Sequence, residues 1–170
     1  LFRSTLVRYV RQPVLIAFST ASSEAAYPGL LEGLQRFGIS RRVASFVLPL
    51  GYSFNLDGSM MYTTFATLFI AQLYGIDLSL GQKLTLAAML MVTSKGIASV
   101  PRASLVVIAA ILPYFHIPEA GLLLVLGVDQ FLDMGRSGTN VIGNSIAAAA
   151  VAGWEGELGP ALAADADVLS

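Results

Sequence analysis

The sequence contains no cysteine and a single histidine among its 170 residues. These absences exclude a disulfide scaffold and a thiolate metal site, and they leave little support for catalysis or metal binding by imidazole. Charged residues make up only 12% of the chain, against roughly 25% in a typical soluble domain. The formal net charge is −1 and no long basic run is present. The chain therefore lacks the electrostatic footprint of a nucleic-acid-binding protein.

Hydrophobic residues, in contrast, account for 55% of the sequence, and the mean hydropathy is +0.71. A soluble domain this apolar would have too little polar surface to stay dispersed, so the composition predicts a membrane protein and argues against a soluble enzyme. Residues 1–42 hold eight charges, whereas the much longer stretch 43–154 holds nine. The chain starts at Leu1 without a visible signal peptide, and we expect it to be part of a longer protein.

Four apolar stretches organise the chain. Two of them, 43–74 and 119–154, are long enough to cross a bilayer, which takes about 20 residues. The other two, 13–38 and 83–112, are interrupted by small and polar residues, so their arms are too short to span. We interpret these two as re-entrant helical hairpins that enter and leave the membrane on one side.

The order hairpin, span, hairpin, span indicates an internal repeat. Pro28 lies 27 residues before Asn55, and Pro101 lies 28 residues before Asp129. Interrupted apolar segments at matching positions of two halves are typical of transporters with a binding site at the membrane midplane. The predicted fold is therefore an all-α membrane protein, with two re-entrant hairpins and two transmembrane helices in an inverted-repeat-like transport core.

The arginines predict the orientation of this core. Six of them flank the first hairpin and the start of the first span, whereas residues 75–82 at the other end of that span carry only Asp77. By the positive-inside rule, the first hairpin opens to the cytoplasm and the second opens outward. We expect residues 1–12 to lead in from a missing N-terminal half, and residues 155–170, rich in Gly, Ala and acids, to form a disordered tail.

The first span carries a polar cluster in an otherwise apolar run. Asn55 and Asp57 lie between Gly51 and Gly58, and a charge at bilayer depth costs on the order of 2.5–3.5 kcal/mol even on lenient scales. Because the glycines weaken the helix, backbone carbonyls could join Asp57 as oxygen ligands for a cation such as Na⁺. The alternative is a kinked helix whose Asp57 pairs with a basic neighbour.

The second span carries a polar stripe that occupies about 100° of arc, one face of a helix. Arg136 offers a planar fork suited to a carboxylate, and Asp133, one turn away, offers a carboxylate for an ammonium group. Together they describe an acidic amino acid as the solute. The alternative is a self-satisfied stripe in which Asp133 and Arg136 pair with each other. The stripe comprises Asp129, Asp133, Arg136, Ser137, Asn140 and Asn144.

Four motifs in this order resemble the dicarboxylate/amino acid:cation symporter family, which includes glutamate and aspartate transporters. The resemblance covers about residues 10–155, the C-terminal half of such a protein. It implies a secondary transporter that couples uptake of aspartate or glutamate to a cation gradient, expected to be Na⁺, by an elevator movement and without another cofactor. The motifs are the serine-rich tip before Pro28, the run Asn55-Leu56-Asp57-Gly58-Ser59, the stretch 96–101, and Asp133-Met134-Gly135-Arg136 with Asn140.

The resemblance also implies the site residues. Asp133 would bind the ammonium group, Arg136 would bind the distal carboxylate, and the second hairpin would be the outer gate. The other substrate-binding residues would be Ser22, Ser23, Ser59, Val100, Ser137 and Asn140, and the Na⁺ ligands would be Gly51, Ser53, Asn55, Asp57, Ser94, Lys95, Ile97, Asn140 and Asn144.

The sequence departs from the family pattern at several positions. Position 144 is Asn where many sodium-coupled relatives have Asp, so one cation site loses a formal charge and H⁺ becomes the alternative coupling ion. Leu56 replaces a methionine often found there. Glu24, Lys95 and Arg102 add charges around the hairpin tips that resemble bacterial members. We therefore expect a multi-pass protein of the plasma membrane, the inner membrane of a bacterium.

The partners implied are a small acidic solute, the lipid bilayer, the missing N-terminal helices of the same protein and a homotrimer, with no nucleic acid. The nearest alternative function is a proton-coupled C4-dicarboxylate symporter. A channel is another alternative, because polar stripes also line pores. An intramembrane aspartyl protease would use two acids such as Asp57 and Asp133, but its carboxylates share a proton, which the neighbouring Arg136 opposes.

Overall fold

A computed structural model describes residues 2–54, 57–93 and 103–160, and the regular elements in these ranges are helices. Apart from one isolated bridge between Ile39 and Leu158, the described ranges contain no β-structure, so the all-α prediction is confirmed. The helices are α1 (Phe2–Thr20), α2 (Tyr27–Phe37), α3 (Arg41–Phe54), α4 (Asp57–Leu73), α5 (Leu80–Thr93), α6 (Ala103–Ile111) and α7 (Leu122–Trp154), with short 3₁₀ turns at Glu24–Ala26, Leu112–Phe115 and Glu119–Gly121.

The helices α1 and α2 fold back on each other as a hairpin. The rings of Tyr9 and Phe37 meet edge to face with centroids 6.1 Å apart. Gly33 allows this approach, because a Cβ at that position would collide with the backbone carbonyl of Tyr9. Pro28 lies in the first turn of α2, where its missing N–H is not needed by the helix. Gly38 ends α2 in the left-handed conformation, with φ of 111°.

The described helices α1, α3 and α4 cover two of the predicted segments in the first half of the chain. The helix α1 (Phe2–Thr20) includes residues 2–12 of the predicted lead-in together with residues of the first hairpin arm. Within the predicted span 43–74, the structure describes α3 as far as Phe54 and α4 from Asp57, and residues 55–56 lie outside the described ranges. Pro49 inside α3 has no N–H to donate within the helix.

No helix within residues 2–54, 57–93 or 103–160 is both long and apolar enough to cross a membrane.

The long helix α7 connects two apolar clusters. Its 33 residues extend roughly 50 Å. Val141, Ala148 and Ala152 in its C-terminal half pack with α1, α2 and α3. Val125 near its N-terminus packs with α4, α5 and α6. The polar residues 129–140 therefore lie between the two clusters.

The C-terminal segment 155–160 packs against the turn between α2 and α3. The amide of Ser40 donates to the Glu157 carbonyl at 3.2 Å, and the amide of Gly159 donates to the Gly38 carbonyl at 2.8 Å. An ion pair of 3.7 Å joins Arg42 to Glu157. This part of the predicted disordered tail is thus held by backbone hydrogen bonds, which its composition does not reveal.

Candidate functional site

The N-terminal end of α4 meets the middle of α7, and Asn140 makes the contact. Its Oδ1 accepts hydrogen bonds from the backbone amides of Gly58 at 2.8 Å and Ser59 at 3.4 Å. Asn140 therefore joins the described start of α4 to α7 through two buried hydrogen bonds. Gly58 permits this approach, because a Cβ there would collide with the backbone carbonyl of Arg136.

Arg136 links the same two helices through its side chain. Its Nε donates to Asp133 Oδ1 at 2.5 Å, and its Nη1 donates to Ser59 Oγ at 3.3 Å. The buried Ser59 hydroxyl also accepts from Asn140 Nδ2 at 3.4 Å. The side chains of Arg136 and Asp133 are only 14% and 10% exposed. These bonds use two of the five N–H donors of a guanidinium, so the group retains the capacity to bind a carboxylate.

Asp133 and Arg136 form an ion pair, as in the alternative interpretation of the polar stripe in which these two residues pair with each other. However, Arg136 also donates a hydrogen bond to Ser59 on α4, so the polar residues of α7 do not bond only with each other. The structure brings together Asp133, Arg136, Asn140 and Ser59 as one cluster.

One turn before Asp133 on α7, the buried side chain of Asp129 contacts α4. The hydroxyl of Tyr62 donates to Asp129 Oδ1 at 2.5 Å, and Asp129 is 1% exposed. Tyr62 was not predicted as a site residue. Its position three residues after Ser59 puts it on the same face of α4, and this spacing is the signal that could have identified it.

Ser137 contributes a buried hydroxyl next to the cluster. It is fully buried, and its Oγ has no hydrogen-bond partner among the residues that the structure describes. An unpaired buried hydroxyl is costly. It therefore marks a point where an oxygen or nitrogen atom of a bound molecule would be stabilised.

Two of the predicted cation ligands, Gly51 and Asn144, meet where α3 contacts α7. A Cβ on Gly51 would collide with Asn144 Oδ1, so only glycine allows the amide oxygen this close. Both residues are buried, and Asn140 lies one turn earlier on α7. Amide oxygens are ligands of hard cations, but this set carries no formal charge.

Two further predicted cation ligands lie at the surface of the described chain. Ser53 is exposed and donates its hydroxyl to the Pro49 carbonyl at 3.2 Å. Asp57 in α4 is exposed. Its role as a cation ligand stays a prediction.

The tip of the first hairpin packs against α3 near Gly51. Ser23 is buried, and its carbonyl accepts a hydrogen bond of 2.9 Å from the Tyr52 hydroxyl. Ser22 is half-buried, and its Oγ donates to Glu24 Oε2 at 3.1 Å. The remaining predicted site residues lie outside the described ranges; they are Asn55, Ser94, Lys95, Ile97 and Val100.

Comparison with known proteins identifies the family. A family model described as the sodium:dicarboxylate symporter family matches residues 3–154. The chain belongs to the sodium:dicarboxylate symporter family. The resemblance predicted from the four motifs is thus confirmed, and this family comprises secondary transporters rather than enzymes.

Individual members of the sodium:dicarboxylate symporter family match most of the chain. It is 49% identical over 152 residues to the proton/sodium-glutamate symport protein of Bacillus caldotenax, covering 89% of this chain and 36% of that protein. It is 50% identical over 150 residues to the proton/glutamate-aspartate symporter of Escherichia coli K12, covering 88% and 34%. It is 49% identical over 154 residues to the C4-dicarboxylate transport protein of Bordetella avium, covering 90% and 35%. The chain therefore spans about a third of the length of these relatives.

Proposed function

We propose that this chain forms the solute- and cation-binding part of a symporter for acidic amino acids, with aspartate or glutamate as solute and Na⁺ as coupling ion. The observation that carries the proposal is the cluster in which Arg136 bridges Asp133 and Ser59 between α7 and α4. Relatives named as glutamate and glutamate-aspartate symporters support the same solute class.

The residue types of the cluster define what each group of the solute would bind. The guanidinium of Arg136 binds the side-chain carboxylate, since charge-assisted bonds of this kind are worth about 1.5–3 kcal/mol each. Asp133 accepts a hydrogen bond from the ammonium group. It lies one helical turn before Arg136 and forms an ion pair with that residue. Ser137 Oγ and the Asn140 amide, both buried, donate to the main carboxylate.

The cation is proposed to bind near the solute, where α3 meets α7. The juxtaposition of Gly51 with Asn144 Oδ1 supports this placement, and Asn140 lies one turn away. Asn55 and Asp57 would supply further oxygens, together with Ser53 and the second tip at Ser94, Lys95 and Ile97, as the resemblance implies. Because Asn144 is uncharged, H⁺ is the alternative coupling ion.

We further propose that the two helical pairs are re-entrant hairpins of an inverted-repeat transport core in a bacterial inner membrane. The core would work with N-terminal helices of the same polypeptide and would move as an elevator within a homotrimer. The 36% coverage of the Bacillus caldotenax protein supports the need for such helices. On this proposal, the present chain alone does not transport.

A C4-dicarboxylate is the second candidate solute, and one observation favours it. A plain dicarboxylate would be repelled by a free Asp133, but Asp133 is paired with Arg136 at 2.5 Å, which offsets the repulsion. The 49% identity to a C4-dicarboxylate transport protein points the same way.

Uptake by the complete protein in proteoliposomes tests these proposals. Labelled aspartate, glutamate and succinate are compared in Na⁺ and in choline, for the wild type and for Asp133→Asn. We expect Na⁺-dependent aspartate and glutamate uptake that Asp133→Asn abolishes, because the ammonium group loses its acceptor. Uptake of succinate alone would reject the amino-acid proposal in favour of the second candidate. Absence of uptake of all three solutes would reject both.

A further inference from the structure

One hydrogen bond joins the tip of the first hairpin to the helix α3. The hydroxyl of Tyr52 donates to the carbonyl of Ser23 at 2.9 Å, across 29 positions of the chain. The same carbonyl accepts from the amide of Ala26 at 3.1 Å, which closes the turn of the tip. Ser23 and Ala26 are both buried. The backbone of the tip is therefore held by a side chain from another helix as well as by its own turn.

The ring of Tyr52 makes a second contact with the first hairpin. It meets the ring of Tyr27 edge to face, with centroids 5.4 Å apart and an interplanar angle of 71°. Aromatic pairs of this geometry add to the stabilisation that burial alone provides. Tyr27 is the first residue of α2, directly after the tip. Two separate contacts, one through the ring and one through the hydroxyl, thus fix the position of the Tyr52 side chain.

The backbone of the tip includes a strained residue. Ala21 has a φ of 51°, in the left-handed region that is unfavourable for residues with a Cβ. Strained backbone persists where surrounding contacts hold it in place. The amide of Ser22 donates to the Ala17 carbonyl at 3.1 Å, and the bond from Tyr52 holds the next residue, Ser23. The shape of the tip therefore depends on a contact that α3 supplies.

Tyr52 also lies next to the proposed cation site. It follows Gly51, at which a Cβ would collide with Asn144 Oδ1 of α7. Pro49 supplies no N–H to α3, and glycine has a low helix propensity, so this part of α3 has little intrinsic helical stability. A cation bound by oxygens of Gly51 and Asn144 would fix it relative to α7. The side chain of Tyr52 extends from the backbone that the cation would fix.

We propose that Tyr52 is a positioning residue that links the cation to the solute. A cation at Gly51 and Asn144 orders the part of α3 that carries Tyr52, and the Tyr52 hydroxyl then places the tip for the solute. The inference rests on the proposed function, in which Ser22 and Ser23 contact the solute. A first ligand that orders a segment lowers the ordering cost that the second ligand pays, so the two bind cooperatively. By linkage, each ligand strengthens binding of the other by the same factor, the coupling factor.

Isothermal titration of the complete protein in detergent measures the coupling factor. The aspartate dissociation constant is determined at a series of Na⁺ concentrations, with choline replacing Na⁺. The plateaus at low and high Na⁺ give the coupling factor, and the curve between them gives the Na⁺ dissociation constants of the solute-free and solute-bound protein. For the wild type we expect a coupling factor of about ten or more.

Tyr52→Phe keeps the ring contact but removes the hydroxyl. It should reduce the coupling factor about fivefold, the effect of losing one hydrogen bond. Its Na⁺ dissociation constant without aspartate should stay within about twofold of the wild type, because no proposed cation ligand is changed. The matched control is Tyr27→Phe, which keeps the same pair of rings and removes a hydroxyl that makes no hydrogen bond within the described ranges. This control should behave as the wild type.

A role in folding alone would lower the melting temperature of Tyr52→Phe and leave the coupling factor unchanged. The proposal is overturned if the coupling factor of Tyr52→Phe equals that of Tyr27→Phe, or if the Na⁺ affinity without aspartate falls as much as the aspartate affinity. It is also overturned if Na⁺ does not strengthen aspartate binding to the wild type, a result that leaves aspartate as the solute. Absence of aspartate binding at every Na⁺ concentration would instead reject the proposed solute, and the inference with it.

Discussion

Adding one methyl group at Gly58 should separate α4 from α7 and weaken solute binding. The Cβ of Gly58→Ala would overlap the carbonyl oxygen, the carbonyl carbon and the Cα of Arg136. These are backbone atoms of a long helix and cannot rotate away. Restoring ordinary contact requires α4 to move by about 1 Å. The hydrogen bond from the Gly58 amide to Asn140 Oδ1, now 2.8 Å, would then exceed bonding distance.

The expected magnitude follows from these two effects. Overpacking costs about 1–3 kcal/mol, and loss of a buried hydrogen bond costs about 1–3 kcal/mol more. Because the same movement withdraws Ser59 from Arg136, we expect acidic-solute affinity to fall at least about tenfold, which corresponds to about 1.4 kcal/mol. Isothermal titration of the complete protein in detergent measures this affinity. The matched control is Gly135→Ala on α7, where a Cβ meets nothing within 4 Å. Affinity of Gly58→Ala within twofold of Gly135→Ala would refute the reasoning.

Three further variants test other contacts. Gly38→Ala should lower the apparent melting temperature, because a φ of 111° is strained for alanine and the Cβ would collide with the C-terminal segment, at a cost of about 1–3 kcal/mol. The control Gly153→Ala, with open space around its Cβ, should leave the melting temperature unchanged. Equal losses in the two variants would contradict the packing of the C-terminal segment. Tyr62→Phe should destabilise the protein by about 1–3 kcal/mol in thermal unfolding, because the buried Asp129 carboxylate loses the hydrogen bond from the phenol. Tyr114→Phe, at an exposed tyrosine, should not change stability. Equal unfolding curves for the two variants would argue against the contact between Tyr62 and Asp129. Arg136→Lys keeps the positive charge but loses the planar guanidinium that binds a carboxylate with two hydrogen bonds. We therefore expect aspartate and succinate binding to weaken about tenfold or more while thermal stability changes little. Unchanged affinity would show that Arg136 does not bind the solute.

The polar face of α7 could be predicted from sequence because a helix has a fixed angular period. The spacing placed Asp129, Asp133, Asn140 and Asn144 on one face, and all four are buried in the structure. Periodicity on one helix cannot identify the partner on another helix. The family resemblance implied that Ser59 and Arg136 both bind the substrate, but the hydrogen bond between them is seen only in the structure.

Other features depend on contacts that no local pattern encodes. The pairing of Tyr62 with Asp129 joins residues 67 positions apart. The C-terminal segment is ordered by backbone hydrogen bonds to Gly38 and Ser40, and Gly-rich acidic composition gives no sign of them.

The central claim is that one solute lies where α4 meets α7, with its carboxylate on Arg136 and its ammonium group on Asp133. A cryo-electron microscopy structure of the complete protein with saturating aspartate tests it most directly. The account predicts aspartate density within hydrogen-bond distance of both side chains and of Asn140. Density for the solute at any place that leaves Arg136 and Asp133 bonded only to each other would contradict it.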